Sequence, residues 1–408
     1  MSAKSFRVSL GDIQSARSLL RDILKPTPLI YNPWLSELFR AEIYLKLETA
    51  QPIGSFKIRG ALNRLSMMSK AERKAGVVAS SAGNHAQGVA WAARHFGVNA
   101  LIVMPKTASI MKVQNTQALG AEIRLEGNSF EEAFAAAKEI QRKSGRIFVH
   151  AYEDTAIIAG QGTVGLEILD QLPDVDVVIG SMGGGGMMAG VATALKALSP
   201  RVKIIGCQSS GAPALVQSLK THRPVKYDQI STFADGIAVK GASPVMRGVL
   251  EDVIDQVFTA DDEEIAEAVL MLIEKAKIVV EGSGAVPLAV ARKLEKKIRG
   301  KKVVLVVSGG NIDVNLLSRI IDRGLTRTGR RVRLNIGISD RPGSLNRVTQ
   351  IIAEQGASIL QAIHDRNEPY TKIDETEVAL TLETRGREHS EKVIAALRKY
   401  CERLDVVH

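Results

Sequence analysis

The chain has 408 residues, 45% of them hydrophobic and 24% charged, and this ordinary globular composition excludes a disordered, collagenous or coiled-coil protein. With 54 Lys and Arg against 44 Asp and Glu, the net charge is +10. No apolar run approaches the length that a membrane span needs, so we expect no membrane partner. The length predicts two to three domains.

The cysteines and the N-terminal segment indicate the cellular compartment in which the protein works. Cys207 and Cys401 are the only two cysteines, too few for a disulfide framework, which favours a reducing cytoplasm. The N-terminal segment lacks the apolar core of a secretion signal, so we expect a cytoplasmic protein.

Aromatic residues make up 4%, and the basic clusters at 296–302 and 327–333 are typical of solvated surface. We therefore expect no nucleic-acid partner.

Regular alternation dominates the first three quarters of the chain. A helical pattern over residues 10–24 stops at Pro26, and from residue 77 short apolar runs alternate with amphipathic stretches. The predicted strands are Val77–Ala79, Leu101–Met104, Ile123–Leu125, Val177–Ile179, Ile204–Cys207 and Val303–Val307. The predicted helices are Asn84–Phe96, Ser109–Leu119, Phe130–Lys143, Met187–Leu198, Ala212–Leu219, Glu263–Lys277 and Ala285–Lys297. This pattern predicts an α/β fold whose mostly parallel sheet is covered on both faces and binds ligands beyond the carboxyl ends of its strands.

The pattern changes near the C-terminus. Residues 325–331 lack apolar periodicity and are interpreted as a linker between domains at 1–324 and 332–408. The elements predicted after it are Val332–Ile338, a helix at Ser344–Gln355, strands at Ile359–His364 and Glu377–Glu383, a helix at Ser390–Lys399 and a strand at Leu404–Val407. This βαββαβ order predicts a ferredoxin-like split arrangement.

The segment Ser55–Ala61 carries the first chemical signal. A helical stripe begins here, with Ser55 as the expected N-cap and Lys57 in the first turn. The helix dipole disfavours a cation at that position, which makes a neutral, nucleophilic amine easier to reach. Taken alone, the position favours an ordinary surface lysine over a reactive one, because most lysines lie on the surface.

A second segment of small residues, Ser81, Ala82, Gly83, Asn84 and His85, follows a strand and opens a helix. Its free backbone N–H groups suit a carboxylate, and Asn84 could bond a ring hydroxyl. The alternative is a glycine turn with Asn84 as N-cap. His85 fits a structural role as well as a catalytic one.

Two further loops follow apolar strands. The glycines Gly183, Gly184, Gly185 and Gly186, followed by Met187, indicate a phosphate on a helix N-terminus, with a flexible hinge as the alternative. The loop also meets the loose dinucleotide pattern, but the next strand ends in Gln208 rather than an acid, which disfavours a nicotinamide cofactor. Ser308 places a hydroxyl at the end of a third strand, where a plain turn is the other interpretation.

Together these segments resemble the fold-type II pyridoxal-phosphate enzymes of the threonine dehydratase and serine racemase family. The resemblance runs from about Thr27 to Leu325 and includes the motifs Ala159–Thr163 and Ala234–Val239. It implies two doubly wound parallel-sheet subdomains and pyridoxal 5'-phosphate as cofactor. Residues 332–408, with the motif Asp340–Leu345, resemble a C-terminal ACT-type regulatory domain.

The resemblance also implies roles for single residues. Lys57 is expected to form the Schiff base with the cofactor and then to act as general base. The other residues expected to bind the cofactor are Phe56 beside it, Asn84 at the ring hydroxyl, Gly183, Gly184, Gly185, Gly186 and Met187 at the phosphate, and Ser308 at the pyridine nitrogen. Those expected to bind the substrate carboxylate are Ser81, Ala82, Gly83 and His85.

The implied activity is α,β-elimination from L-threonine, giving 2-oxobutanoate and ammonia, and from L-serine, giving pyruvate. Racemases of this family carry a serine where this chain has Ala82 and an asparagine where it has Tyr152. They also carry carboxylates for a divalent ion where this chain has Gln208, Ala212 and Ala214, so we expect no divalent metal site, which leaves a weakly held monovalent cation open. The alternatives are a serine racemase-type or other β-eliminating lyase, or a catalytically silent amino-acid sensor.

The C-terminal resemblance implies an effector site at Asp340, Gly343, Ser344 and Leu345, with isoleucine or valine as the expected ligand. A domain of this size with an exposed sheet edge is expected to pair with a copy from another subunit, giving a homodimer or homotetramer. The alternative is a dimerisation module that binds nothing.

Overall fold

The structure, a computed structural model, describes residues 6–366 and 373–407. The segment from which the absence of a secretion signal was predicted begins in residues 1–5, outside these ranges. The chain divides into two compact units, Met1–Ile312 and Asp313–His408.

The first unit alternates helices and strands. Its helices are α1 (Leu10–Leu20), α2 (Pro33–Phe39), α3 (Lys57–Ser66), α4 (Lys70–Ala75), α5 (Asn84–Phe96), α6 (Ile110–Ala118), α7 (Phe130–Ser144), α8 (Thr155–Gln171), α9 (Gly186–Leu198), α10 (Ala214–Thr221), α11 (Pro244–Glu251), α12 (Asp262–Met271), α13 (Gly282–Lys293) and α14 (Glu295–Ile298). Its strands are β1 (Leu29–Tyr31), β2 (Glu42–Leu47), β3 (Val77–Ser80), β4 (Ala100–Met104), β5 (Glu122–Leu125), β6 (Ile147–Phe148), β7 (Val177–Ser181), β8 (Lys203–Ser209), β9 (Gln256–Ala260) and β10 (Lys302–Val307).

Two sheets organise this unit. The larger has the strand order β1-β2-β10-β7-β8-β9, and the smaller has the order β5-β4-β3-β6. All neighbouring strands run parallel except β1, which pairs antiparallel with β2. Strands β3, β4 and β7 are buried along their whole length, as continuous apolar runs require in a sheet covered on both faces. The predicted α/β fold with two parallel-sheet subdomains is confirmed.

Some elements differ from the sequence-based expectation. The predicted helix Glu263–Lys277 ends as an α-helix at Met271 and continues as a π-helical turn over Leu272–Ala276. The expected helix Ala285–Lys297 begins earlier, at Gly282, and breaks at Leu294. Helix α8 was not predicted, because it is almost entirely buried and its apolar residues show no one-sided stripe.

The second unit contains α15 (Val314–Arg327), β11 (Arg331–Ser339), α16 (Ser344–Glu354), β12 (Ser358–Asp365), β13 (Glu375–Glu383), α17 (Arg387–Arg398) and β14 (Arg403–Val407). Its antiparallel sheet has the order β12-β13-β11-β14, the split βαββαβ arrangement that was predicted. Apolar side chains of β11 and β13 pack against α16 and α17 to form its core.

The contacts divide the chain earlier than the boundary predicted at residue 324. Helix α15 belongs to the second unit and runs through part of the segment interpreted as a linker. Arg331 of β11 forms an ion pair with Asp322 of α15, which ties this helix to the sheet that follows. No helix in the described part of the chain combines the length and apolar character that crossing a membrane requires.

Candidate active site

Lys57 is the first residue of α3, and its amine points into a partly buried space. The Nζ atom donates a hydrogen bond to the Ala151 carbonyl oxygen at 3.0 Å and lies 5.1 Å from the centre of the Phe56 ring. Burial lowers the pKa of Lys57 to about 8, although the attraction of Glu281 opposes this change. A substantial fraction of the amine is therefore neutral, and thus nucleophilic, near physiological pH.

A buried ion network anchors α3 directly behind this lysine. Arg59 is 1% exposed and donates from Nε and Nη2 to the two carboxylate oxygens of Glu48, both at 2.8 Å. It also donates from Nη1 to Glu167 of α8 at 2.5 Å, and Lys46 of β2 reaches the same carboxylate at 2.6 Å. Helix α3 is thereby fixed to both α8 and the large sheet.

Ser55 does not cap α3, and this expectation is corrected. The residue preceding the helix is Phe56, whose backbone is already helical (φ −59°, ψ −20°), and no side chain caps this end. A side-chain cap requires extended backbone, so Ser55 is one residue too early. Its buried hydroxyl has no hydrogen-bond partner in the described residues, while the Phe56 N–H donates to the Ser308 carbonyl at 3.1 Å.

The tetraglycine loop joins β7 to α9. Gly185 has φ +92° and precedes the helix, which has no side-chain cap. Within the described residues, the N–H groups of Gly183 through Met187 donate no hydrogen bond to the protein. A Cβ on Gly184 would lie 2.3 Å from the Tyr152 ring, so the ring lies directly against this loop. Successive free N–H groups at a helix start suit a phosphate.

The segment Ser81–His85 joins β3 to α5. Gly83, not Asn84, precedes the helix, so the alternative of Asn84 as N-cap is wrong. The N–H groups of Asn84, His85 and Ala86 have no partner in the described residues, which leaves them available to an anion. The His85 ring is buried with Nε2 2.9 Å from the Val149 carbonyl, and burial lowers its pKa to about 3. Its ring is therefore a neutral structural group, and only its backbone faces a free site.

The side chain of Asn84 connects the two sheets. Its Nδ2 atom donates to Glu281, and its Oδ1 atom accepts from Asn311 Nδ2 at 2.7 Å. Ser308, at the end of β10, is buried, and its hydroxyl lies 3.4 Å from the Ser181 hydroxyl at the end of β7. The residues predicted to hold the cofactor ring therefore meet where the strands of both sheets end.

The sequence analysis assigned no function to three groups that lie at this site. They are the Ala151 carbonyl, the Asn311 amide and the Glu281 carboxylate. Asn311 lies three residues after Ser308, and Glu281 follows the apolar residues Ile278–Val280 and precedes small residues that open α13. An acidic residue between an apolar run and a helix start was therefore a signal that could have pointed to Glu281. Its contact with Asn84 could not be predicted, because the two residues lie far apart in sequence.

The predicted effector residues lie in the second unit. Asp340, Gly343, Ser344 and Leu345 line a cavity of about 420 Å³ together with His364 and Arg366. Arg366 Nε is 3.1 Å from both carboxylate oxygens of Asp340. Gly343 has φ +93° and precedes α16 without a side-chain cap, so the turn requires glycine.

The first unit therefore brings together a nucleophilic amine, an aromatic ring, a cradle of free N–H groups and buried hydroxyl and amide groups. An aldehyde that carries an aromatic ring and a phosphate fits this set, with the amine for its carbonyl and the glycine loop for its phosphate. Within the described ranges, no cluster of three or more His, Cys, Asp or Glu side chains is arranged to hold a metal ion.

Comparison with known proteins gives consistent relatives. Residues 20–309 match the family model described as pyridoxal-phosphate dependent enzyme, and residues 326–406 match the ACT domain. The chain is 47% identical to an L-threonine ammonia-lyase of Thermotoga maritima, over 95% of this chain and 96% of that protein. It is 42% identical to an L-threonine ammonia-lyase of Geobacter sulfurreducens, over 97% of this chain and 98% of that protein.

Solved structures agree with this. The processed form of threonine deaminase isoform 2 from Solanum lycopersicum is 36% identical with a TM-score of 0.74, covering 77% of this chain and 86% of that one. Maize serine racemase is 32% identical with a TM-score of 0.74, covering 79% of this chain and 99% of that one. By its fold, its site and its relatives, the chain belongs to the pyridoxal-phosphate dependent enzyme family and carries a C-terminal ACT domain.

Proposed function

We propose that the protein is a threonine ammonia-lyase, converting L-threonine to 2-oxobutanoate and ammonia by α,β-elimination, and L-serine to pyruvate. The observation that carries the chemistry is the partly buried Lys57 amine, with its pKa lowered to about 8, beside a glycine loop with free N–H groups. The choice of substrate is supported by the full-length relatives named L-threonine ammonia-lyase.

Pyridoxal phosphate, when bound, supplies the electron sink for the electrons left on the substrate α-carbon. Lys57 would hold its carbonyl carbon, and Phe56 would pack beside its ring. The N–H groups of Gly183, Gly184, Gly185, Gly186 and Met187 would hold its phosphate. The Asn84 amide would donate to its ring hydroxyl, and the Ser308 hydroxyl would meet its ring nitrogen.

Lys57 has a second task once the substrate amine has taken its place. Its amine is free to take the proton from the substrate α-carbon as general base, and its lowered pKa keeps it able to accept that proton near neutral pH. The Ala151 carbonyl, 3.0 Å from Nζ, limits where this amine can lie. The His85 ring is a poor alternative base, because burial lowers its pKa to about 3 and its Nε2 atom is held by the Val149 carbonyl.

Ser308 directs the outcome of the reaction. A neutral hydroxyl at the ring nitrogen stabilises positive charge there less than a carboxylate does. Electrons on the α-carbon are then less fully delocalised, which favours loss of the β-hydroxyl over transamination. The burial of Ser308 keeps water from taking its place.

The substrate carboxylate would lie at the start of α5. The segment Ser81–His85 offers free N–H groups there, and Gly83 leaves open space because no atom lies within 4 Å of a Cβ built on it. Ala82 carries no proton that could be delivered to the opposite face of the α-carbon, which supports elimination rather than racemisation.

The second unit extends the proposal to regulation. The cavity at Asp340, Gly343, Ser344 and Leu345 would bind isoleucine or valine, with the ligand carboxylate at the start of α16. Strand β12 is exposed along its whole length at the sheet edge, which supports pairing with a second copy as a homodimer or homotetramer. Both cysteines are free, which suits a cytoplasmic location.

A variant of Lys57 tests the function. We expect Lys57→Ala to fold, to lose the yellow colour of the bound cofactor and to release no 2-oxobutanoate from L-threonine. Lys70→Ala is the matched control, since Lys70 is likewise the first residue of its helix but is exposed to solvent. More than a few per cent of residual turnover in Lys57→Ala, without added amines, contradicts the proposal.

A further inference from the structure

Glu281 is a buried carboxylate for which the function has so far supplied no role. It is 4% exposed and precedes α13, where its backbone carbonyl accepts from the Gly284 and Ala285 N–H groups. Its side chain does not cap that helix. No Lys, Arg or His in the described ranges forms an ion pair with it, and an unpaired buried carboxylate costs considerable free energy. Such a group requires specific partners.

The first partner is the Asn84 amide. Asn84 Nδ2 lies 2.9 Å from each of the two Glu281 oxygens, so one N–H is shared between them. On its other side, Asn84 Oδ1 accepts from Asn311 Nδ2, which also donates to the Ile53 carbonyl at 2.8 Å. These contacts fix which way the Asn84 amide faces. They leave its second Nδ2 hydrogen without a partner among the described residues.

The second partner is the turn that follows Ser308. The Glu281 N–H donates to the Gly309 carbonyl at 3.1 Å. A Cβ on Gly309 would lie only 2.6 Å from Glu281 Oε1, so the turn packs against the carboxylate and a side chain at residue 309 would displace it. Glu281 thus contacts Asn84 beyond the small sheet and the Ser308–Gly309 turn beyond the large one.

We propose that Glu281 is a positioning residue for the cofactor. It holds the Asn84 amide in one orientation against the Ser308–Gly309 turn, so that the free Nδ2 hydrogen is presented to the ring hydroxyl of pyridoxal phosphate. This inference rests on the proposed function.

Substitutions at Glu281 and Ser283 distinguish a positioning role of Glu281 from a purely structural one. Glu281→Ala removes both acceptors of the Asn84 amide. Glu281→Gln keeps the shape and one acceptor oxygen, while its amide nitrogen can donate to the Ser283 hydroxyl. Ser283→Ala is the matched control, because it removes the other side-chain partner of Glu281 but leaves the contact with Asn84 intact.

The measurement is a double-mutant cycle on pyridoxal phosphate binding. The dissociation constant is measured by equilibrium dialysis and the absorption spectrum of the bound cofactor is recorded, with no substrate present. We expect Glu281→Ala to raise the dissociation constant about tenfold, the effect of losing one buried hydrogen bond. Glu281→Gln should raise it less, and Ser283→Ala should leave the constant and the spectrum unchanged.

The decisive comparison is made in the Asn84→Ala background. If Glu281 acts through Asn84, Glu281→Ala then adds little further effect, because the group it positions is already absent. Additive losses, or an unchanged spectrum in Glu281→Ala, overturn the inference. Should Glu281→Ala fail to fold, Glu281→Gln carries the same cycle: its spectral shift must occur with Asn84 and vanish without it.

The result remains distinct from the test of the function. A protein that takes up pyridoxal phosphate but releases no 2-oxobutanoate refutes the substrate, while the cycle on Glu281 still gives its answer. A protein that takes up no pyridoxal phosphate at all overturns both.

Discussion

The amine of Lys57 titrates near pH 8, because burial lowers its pKa from 10.5. Only the neutral amine attacks a carbonyl, so protonation below that pH slows capture of the cofactor. We expect the rate at which cofactor-free enzyme takes up pyridoxal phosphate to rise with pH and to level off above about 8. Stopped-flow absorbance measures this rate. A rate that keeps rising to pH 10.5, the ordinary lysine value, contradicts the effect of burial.

A second single residue, Ala82, determines the stereochemical outcome of the reaction. We assign proton transfer at the substrate α-carbon to the Lys57 amine alone. The Ala82 side chain has no group that could transfer a proton on the opposite face of that carbon. We therefore expect L-serine to give pyruvate and essentially no D-serine, as followed by chiral chromatography. Comparable amounts of the two products would instead place the chain with the racemases. Ala82→Ser is expected to introduce slow racemisation.

Among the elements, the β7–α9 loop depends on a missing side chain. A methyl group on Gly184 would collide with the Tyr152 ring at 2.3 Å, and the loop or the ring would have to move. We expect Gly184→Ala to raise the dissociation constant for pyridoxal phosphate about tenfold or more, since the free N–H groups lose their alignment.

Gly11→Ala is the matched control for that change. Gly11 lies within α1, and a Cβ built there has only the Ser9 hydroxyl nearby, at 3.6 Å. Alanine at this position should leave cofactor binding unchanged and stabilise the helix by about 0.5–1 kcal/mol. Equal binding by both alanine variants would show that the shape of the Gly184 loop does not matter.

The ion network behind α3 gives a stability prediction. Replacing Arg59 by methionine leaves the carboxylates of Glu48 and Glu167 buried with fewer partners. We expect Arg59→Met to lower the free energy of unfolding of the first unit by about 3–5 kcal/mol. Urea denaturation followed by tryptophan fluorescence reports on this unit, because Trp34 and Trp91 both lie in it.

Arg142→Met provides the surface comparison. Arg142 pairs with Glu139 on the exposed face of α7, where solvent screens the ion pair and its contribution to stability is small. A loss of stability in Arg59→Met no larger than in Arg142→Met would mean that the buried network contributes little.

At the scale of the whole molecule, the question is whether the ACT domain regulates the catalytic unit. We expect isoleucine or valine to bind the intact protein in calorimetry and to shift the threonine saturation curve, with a coupling energy of about 1–3 kcal/mol. Asp340→Asn should weaken that binding, because Asp340 lines the cavity and holds Arg366.

Asp405→Asn is the control, on the exposed part of β14 in the same unit. If neither branched-chain amino acid binds or shifts the curve, the C-terminal domain serves assembly alone. If Asp405→Asn weakens binding as much as Asp340→Asn, the effector site is not at the cavity.

The sequence by itself was sufficient for the fold class and the ACT-like arrangement, and it also supplied the proposal for the residues that hold the cofactor. Apolar runs that alternate with amphipathic helices are local patterns, and the glycine and serine motifs each lie directly after such a run. Because parallel strands of one sheet end at the same edge, motifs that follow different strands could be expected to converge. In the structure these motifs do converge. The Phe56 N–H, next to Lys57, donates to the Ser308 carbonyl, and the Ser308 hydroxyl lies beside the hydroxyl of Ser181, which precedes the Gly183–Met187 loop.

Only the tertiary structure decided what those motifs contact. The buried helix α8 has no polar face to reveal it, and α15 belongs with the unit that follows it rather than with the one before. Ser55 fails to cap α3 because the residue that precedes the helix is Phe56, whose backbone is already helical and whose N–H donates to the distant Ser308 carbonyl. Glu281 and Asn84 lie 197 residues apart, so no local pattern relates them. Periodicity and turn chemistry act over a few neighbouring residues, whereas the partners of a buried polar group are chosen by the packing of distant elements.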